Sequence, residues 1–121
     1  MRIRFAMAMA LILLTPDRVQ AQDGRLGEGH SDLHPWYRGL AQPGMSPGSC
    51  CSDQDCRPTQ WRQGRAAIEV KIEGKWCPVP GEKILPIAAP DGQAHVCTAP
   101  VPAGGDPCAA TVFCVVVGFG S

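Results

Sequence analysis

The sequence predicts a small all-β domain of four to five short strands, stapled by disulfides and preceded by an irregular N-terminal arm. Three observations lead to this prediction. The 121 residues include seven cysteines. The 14 glycines and 12 prolines interrupt the chain too often for long helices. Short β-branched runs bounded by turn signals fill the second half, as in small all-β domains.

The first 21 residues have the order of a secretory signal peptide. Arginines near the start precede an apolar run, residues 5–14, and small residues around Ala21 suit a signal peptidase. The apolar run is too short to span a bilayer as a helix. We therefore expect residues 1–21 to be removed, and the mature chain to be periplasmic or secreted without a membrane span.

The charge pattern argues against a nucleic-acid partner. Eleven basic and eleven acidic residues give a formal net charge of zero. The chain has neither a basic stripe nor basic residues interleaved with aromatic ones, which nucleic-acid-binding proteins commonly show.

Residues 22–48 form the predicted irregular arm, because they follow no sustained hydrophobic period. A turn of helix is expected within residues 31–40, and the aromatic side chains of Trp36 and Tyr37 would fasten the arm to the body. Residues 22–30 are polar and rich in glycine, which predicts disorder.

Residues 49–121 form the predicted cysteine-rich β domain. Apolar and polar residues alternate over residues 68–72, which indicates a strand with one buried and one solvated face. Glu73 and Gly74 break this run before it returns, so the pattern predicts a hairpin. A turn at Asp91 and Gly92 introduces a strand over residues 94–98.

The last apolar run, residues 111–119, is β-branched on both faces. This is typical of a central strand that is buried on both sides. Residues 82–87 lie between prolines and are expected to form a short edge segment.

Cys50 and Cys51 are adjacent, and the geometry of the chain argues against a bond between them. Consecutive Cα atoms are about 3.8 Å apart, closer than the usual disulfide range of about 4.4–6.8 Å. Neighbouring side chains of an extended segment also point to opposite sides. We therefore expect the pair to bond to Cys97 and Cys114, in an order that the sequence leaves open. Seven cysteines in an oxidising compartment predict three disulfides and one thiol, with a disulfide between two chains as the alternative for the odd cysteine.

Residues 50–56 read CCSDQDC, and residues 91–97 read DGQAHVC. These two motifs resemble the CCSxxDC and DGxxHxC motifs of a family of small exported proteobacterial proteins. The resemblance extends over roughly residues 31–117. It implies export and a cystine-rich fold, and it implies no activity.

The resemblance also bears on the remaining cysteines. Cys77 and Cys108 are additions to the family pattern, which implies that they pair with each other. Cys56 would then be the remaining thiol. The cysteines that match the family pattern are Cys50, Cys51, Cys56, Cys97 and Cys114.

His95 and Cys97 are the strongest candidates for a metal site, because residues two apart in a strand share one face. Imidazole and thiolate suit copper or zinc, and His30 and His34 from the arm could complete the set. The favoured interpretation is that Cys97 is oxidised and that His95 is an ordinary strand residue, since cystine sulfur is a poor ligand. The prediction therefore includes neither a metal nor a cofactor.

No catalytic motif is present, neither a G-x-S-x-G elbow nor a glycine-rich phosphate loop. The sequence predicts a non-enzymatic module that binds a protein or an envelope component. Trp36, Tyr37 and Trp61 are the predicted contact residues, because aromatic side chains often anchor interfaces. The alternative is a metal-binding or thiol-redox protein that uses His95, Cys97 and the remaining thiol.

Overall fold

The computed structural model describes residues 22–51 and 55–119, and six strands in this part of the chain form two antiparallel sheets. The first sheet has the order β1-β5-β6 and the second the order β2-β3-β4. The predicted small all-β domain is confirmed; the predicted signal peptide lies outside the described residues. The strands are β1 (Cys56–Thr59), β2 (Trp61–Gln63), β3 (Ile68–Ile72), β4 (Lys75–Pro78), β5 (Ala94–Thr98) and β6 (Val112–Val116).

One extended stretch of chain links the two sheets. β1 pairs with β5 in the first sheet, and β2 pairs with β3 in the second, with only Gln60 between them. The backbone N–H of Lys71 donates to the Gln60 carbonyl at 3.0 Å, and the Thr59 hydroxyl donates to the Lys71 carbonyl at 2.6 Å. The crossover is therefore hydrogen-bonded to the second sheet.

The predicted hairpin joins β3 to β4. Glu73 and Gly74 have φ values of 50° and 79°, as a type I′ turn requires at both central positions. β5 also has the bounds that the Asp91-Gly92 turn predicted.

β6 is an edge strand, so the prediction of a central strand is wrong in position. β5 is the central strand of the first sheet, and Leu85 donates from its backbone to the Val115 carbonyl at 2.8 Å along the outer side of β6. β6 nevertheless carries buried side chains on both faces, because the first sheet lies between two hydrophobic clusters. Burial on both faces thus gives an edge strand the composition of a central one.

The first sheet is the middle layer of the domain. On one side, Tyr37 and Leu40 of the arm pack with Val116 and two of the disulfides. On the other side, Val96 and Val115 pack against the second sheet in a cluster of aliphatic side chains.

The arm contains a 3₁₀ turn, His30–Leu33, followed by one turn of helix, α1 (His34–Tyr37). Pro35 occupies the first turn of α1, where its missing N–H costs no hydrogen bond. Gly39 donates to the Trp36 carbonyl at 3.1 Å just after the helix ends. No helix in residues 22–51 and 55–119 has the length and apolar character needed to cross a membrane.

The start of the arm is docked, so the prediction of disorder over residues 22–30 is wrong. The carbonyls of Asp23 and Gly24 accept from the backbone N–H groups of Gly74 at 2.8 Å and Glu73 at 3.1 Å. Gly24 has a φ of 67°, and a Cβ there would lie 2.0 Å from the Lys71 carbonyl oxygen. The segment has no apolar face, but its backbone is held by the β3–β4 turn.

Arg57 of β1 joins the arm to both sheets through a fully buried guanidinium. Its Nε donates to the Gly24 carbonyl at 2.9 Å, and its Nη1 donates to the Asp55 carbonyl at 2.8 Å and to the Thr98 hydroxyl at 2.9 Å. Glu73 lies 4.0 Å from Nη2. Burial lowers the pKa of Arg57, and the nearby acids Glu73 and Asp55 oppose that shift.

The three predicted disulfides form, but one of them uses a different cysteine. Cys51 was expected in a bond and Cys56 as the remaining thiol; the structure exchanges these roles. Cys56 and Cys97 are direct partners in the β1–β5 register, 4.0 Å apart at Cα, so strand pairing brings their sulfurs together. Cys51 is buried outside the strands and the disulfides. Cys77–Cys108 is as predicted, Cys50–Cys114 is one of the two arrangements that the sequence left open, and Cys56–Cys97 replaces the expected bond from Cys51.

Candidate functional site

All three histidines of the chain lie around one buried tyrosine. The rings of His30 and Tyr37 are stacked with centroids 5.2 Å apart, and the Tyr37 and His95 rings meet edge-on at 5.5 Å. His34 contacts His30 at 4.9 Å between centroids. We call these four residues the histidine cluster; it joins α1 and the preceding 3₁₀ turn to β5.

A hydrogen-bonded chain runs through the cluster from Asp91 to Tyr37. Asp91 Oδ1 lies 2.8 Å from His95 Nε2, and His95 Nδ1 lies 2.7 Å from the Tyr37 hydroxyl. A neutral imidazole satisfies both contacts when Nε2–H donates to the carboxylate and the Tyr37 hydroxyl donates to Nδ1. This tautomer is assigned from the hydrogen-bond network.

The Tyr37 hydroxyl is held in its neutral form. Burial is the largest cause of its raised pKa, and the charges of Asp91, Cys51 and Asp32 add to it. The residue is 0% exposed. An Asp–His–hydroxyl chain has the connectivity of a catalytic triad, but here the hydroxyl is inaccessible and its ionisation is disfavoured.

The two arm histidines are also hydrogen-bonded. His30 Nδ1 lies 2.6 Å from the Cys56 carbonyl and must therefore carry its proton. His30 Nε2 then accepts from His34 Nδ1 at 2.7 Å. These contacts tie the arm to β1.

The arm aromatics confirm one prediction and correct another. Tyr37 fastens the arm to the body, as expected, and half-buried Trp36 packs beside it with its ring centroid 5.2 Å from that of His95. The prediction that Tyr37 is a surface contact residue is wrong, because its side chain is fully buried.

The predicted alternative metal site is not assembled in the described part of the chain. The Cys97 sulfur is bonded to Cys56, and both nitrogens of His95 are hydrogen-bonded to other side chains. Across residues 22–51 and 55–119, no group of three or more His, Cys, Asp and Glu side chains is placed to hold a metal ion.

A second region combines aromatic and polar side chains at the junction of the two sheets. It is a cavity of about 430 Å³, within the range of ligand pockets. We call it the tryptophan cavity. Its larger lining side chains are Gln60, Trp61, Arg62, Trp76, Gln93 and Phe119, and it is completed by Thr59, Gly92, Ala94 and Gly118.

Two close backbone contacts position one wall of this cavity. The backbone N–H of Phe119 donates to the Gly92 carbonyl at 3.0 Å. A Cβ at Gly118 would lie 2.8 Å from the Ala94 nitrogen, so a residue with a side chain would push this wall apart. The approach holds Phe119 beside the turn that precedes β5 and leaves its side chain 81% exposed.

Among the residues that the structure describes, Arg62 is the only charged one that lines the cavity. Its Nε donates to Glu69 Oε1 at 2.7 Å, and its Cζ lies 4.3 Å from the centroid of the Trp76 ring. Within the part of the chain that the structure describes, its two Nη groups have no hydrogen-bond acceptor. The guanidinium is thus oriented by two contacts that leave four N–H donors unused.

Trp61 also lines the cavity, and its position is compatible with the predicted contact role. Its indole Nε1 is buried and has no hydrogen-bond partner among the described residues. Such a donor costs about 1–3 kcal/mol in a folded protein when it stays unpaired.

The sequence prediction missed Arg62, Trp76 and Phe119. The hairpin pairs Trp76 with Lys71 on the solvated face of the second sheet. Residues directly opposite in an antiparallel pair share a face, so the turn at 73–74 and the polar position of Lys71 were sufficient to place Trp76 outside. No sequence signal predicts that Phe119 lines the same cavity, because its position there depends on how the two sheets pack.

Comparison of this chain with protein-family models, with curated proteins and with solved structures finds no match.

Proposed function

We propose that this chain is an exported, non-enzymatic binding module whose ligand site is the tryptophan cavity. Three disulfides suit an oxidising compartment. The predicted signal peptide, residues 1–21, would deliver the mature chain to the periplasm or to the exterior. The ligand would be a protein or another envelope component, since these are what an exported domain meets.

The observation that carries this proposal is the state of Arg62. Its guanidinium is held on the Trp76 ring and by Glu69, and its Nη donors are left without an acceptor in the described chain. Tryptophan and arginine are the residues that most often dominate binding energy at interfaces. An arginine that is oriented in advance loses less side-chain entropy when a ligand binds.

The cavity favours binding over catalysis. Among the described residues, its lining contains no histidine, cysteine or carboxylate, which are common general acids and bases in catalysis. The group that most resembles a catalytic one, the Asp91–His95–Tyr37 chain, ends on a buried hydroxyl.

Affinity capture with matched variants tests the proposal. Immobilised mature protein, residues 22–121, would be incubated with an envelope extract from the source cells, beside the variants Arg62→Ala and Phe119→Ala. We expect both variants to lose a ligand that the unaltered protein retains. Arg65→Ala and Met45→Ala are the controls, because they remove an exposed arginine and an exposed apolar side chain outside the cavity. Equal retention by all variants would contradict the proposal, as would an N-terminus of exported protein that still contains residues 1–21.

A further inference from the structure

β2 presents an edge of the second sheet that no strand of the described residues pairs with. It is the outer strand of the order β2-β3-β4. Gln60 and Gly64, on either side of it, bond toward β3 through Lys71 and Ala67 respectively. Because hydrogen-bonding direction alternates along an antiparallel strand, Arg62 also faces β3, while the backbone groups of Trp61 and Gln63 face outward.

This edge and the tryptophan cavity share residues. Trp61 and Arg62 belong to β2 and also line the cavity. An extended chain that lay beside β2 would reach the outward N–H and C=O groups of Trp61 and Gln63 and would pass the cavity at the same time. Addition of a strand to a sheet edge is a common way of binding peptides, with main-chain bonds giving affinity and side-chain pockets giving specificity.

The charge of the cavity indicates what such a chain carries. Among the described residues, Arg62 is the only ionisable one that lines the cavity, and the carboxylate that offsets part of its charge, Glu69, is not part of the lining. The Nη donors of a guanidinium match the two oxygens of a carboxylate.

We infer that the tryptophan cavity binds an extended acidic peptide segment, which adds to the edge of β2 and places a carboxylate on Arg62. This inference rests on the proposed function and specifies its ligand. An acidic glycan would satisfy Arg62 and stack on the aromatic rings, but it lacks the alternating N–H and C=O groups that the β2 edge can pair. The peptide is therefore the favoured occupant.

Selection from a random library of eight-residue peptides tests the chemistry of the ligand. We expect the selected peptides to be enriched in Asp or Glu. A synthetic selected peptide should bind about tenfold or more tightly than its Gln or Asn counterpart, as for loss of one charge-assisted hydrogen bond. Arg62→Ala should weaken binding by a similar factor, and Arg65→Ala should leave it unchanged.

Substitution at Gln63 tests the strand addition. Gln63→Pro removes only an outward N–H, because proline is tolerated at a sheet edge when its nitrogen faces solvent. We expect about a tenfold loss of peptide affinity for Gln63→Pro and little change for Gln63→Ala. If the proline variant does not fold, peptides N-methylated at alternate residues make the same test on the unaltered protein. Equal affinity for peptides methylated in either register would overturn the strand addition.

The remaining outcomes separate this inference from the proposed function. Oligogalacturonate serves as the acidic glycan probe. If it binds in an Arg62- and Phe119-dependent manner while no peptide is selected, the peptide inference is wrong and the cavity remains a ligand site. Selected peptides that lack a carboxylate or ignore Arg62→Ala also overturn the inference. If no peptide is selected and the glycan does not bind, the peptide inference is wrong. If, in addition, Arg62→Ala captures the same material from the envelope extract as the unaltered protein, the proposed function is wrong as well.

Discussion

The histidine cluster and the tryptophan cavity both contain aromatic and basic side chains, but these side chains differ in burial and in how many of their hydrogen-bonding groups are paired. In the cluster, His30 and His95 each use both ring nitrogens, and Tyr37 is completely buried. In the cavity, Arg62 keeps unused donors and Phe119 is largely exposed. The first region binds the arm to the first sheet. Within the described residues the second region has no such structural partner, which is why we propose it as the ligand site.

The difference shows that connectivity alone is a poor guide to function. Asp91, His95 and Tyr37 are linked as a catalytic triad would be, but their hydrogen bonds are internally satisfied, and His95 and Tyr37 are closed to solvent. A satisfied buried network makes a domain rigid and specifies one packing. A binding site needs oriented groups whose hydrogen bonds are still to be made.

Truncation of one aromatic side chain in each region should give the largest contrast. We expect Tyr37→Ala to lower the free energy of unfolding by about 3–5 kcal/mol, because it removes a buried ring and its contacts with His30 and His95. Phe119→Ala should change it by less than about 0.5 kcal/mol, as for other exposed positions.

Urea denaturation followed by circular dichroism measures both values. If Tyr37→Ala is unfolded without denaturant, Tyr37→Phe provides a milder comparison, with a loss of about 1–2 kcal/mol for the hydrogen bond to His95. A cost for Phe119→Ala equal to that of the tyrosine variant would remove the distinction between the two regions.

A second contrast compares a buried arginine with the exposed one in the cavity. Arg57→Met should cost about 3 kcal/mol, because it removes the three hydrogen bonds of a buried guanidinium, to the carbonyls of Gly24 and Asp55 and to the Thr98 hydroxyl. Arg62→Met should cost no more than about 1 kcal/mol, since its contacts with Glu69 and Trp76 are partly solvated. Thermal denaturation of the two variants under identical conditions checks the ranking, which a larger cost for Arg62→Met would reverse.

The local elements were predictable because their signals are local. The turn at Glu73 and Gly74 set the β3–β4 hairpin, and the Asp91-Gly92 turn gave the bounds of β5. The docking of residues 22–24 was not predictable, because it depends on backbone carbonyls that meet Arg57 and the β3–β4 turn across the fold. The composition of that segment is polar, as the prediction assumed, but backbone hydrogen bonds can dock a segment that has no apolar face.

The disulfides and the two candidate sites also divide into features with a local sequence signal and features that depend on contacts between distant segments. Cys56 pairs with Cys97 because β1 and β5 are in that register, and register between distant strands leaves no mark on a single sequence. The alternation of the hairpin was sufficient to place Trp76 beside Lys71. The gathering of His30, His34 and His95 around Tyr37 required the arm to fold back onto β5.

The histidine cluster should also give a pH dependence that the cavity does not. The folded-state pKa of Tyr37 is raised by burial first and then by nearby negative charge. The contribution of neutral Tyr37 to the free energy of unfolding is therefore complete below the unfolded tyrosine pKa of about 10. It is lost as the pH rises from there toward the pKa of Tyr37 in the folded protein. Over that window it falls by up to about 1.4 kcal/mol per pH unit.

Because the chain has a single tyrosine, tyrosinate absorbance reports on this residue alone. We expect it to appear together with the loss of the circular dichroism signal, and Tyr37→Phe to show a shallower decline in stability with alkaline pH. Tyrosinate that forms while the protein is still folded would show that the cluster opens to solvent.

The smallest predicted effect is the coupling between Arg62 and Glu69, and it decides whether Arg62 is available to a ligand. The two side chains are directly opposed on β2 and β3 and are bonded at 2.7 Å, with side-chain exposures of 48% and 23%. Pairs exposed to this extent couple by about 0.2–1 kcal/mol, and added salt should reduce that value. A double-mutant cycle with Arg62→Met and Glu69→Gln, followed by urea denaturation at two salt concentrations, measures it. A salt-insensitive coupling of about 2 kcal/mol or more would mean that Arg62 is fixed as part of the fold, like Arg57, and the contrast between the closed and the open region would fail at its central residue.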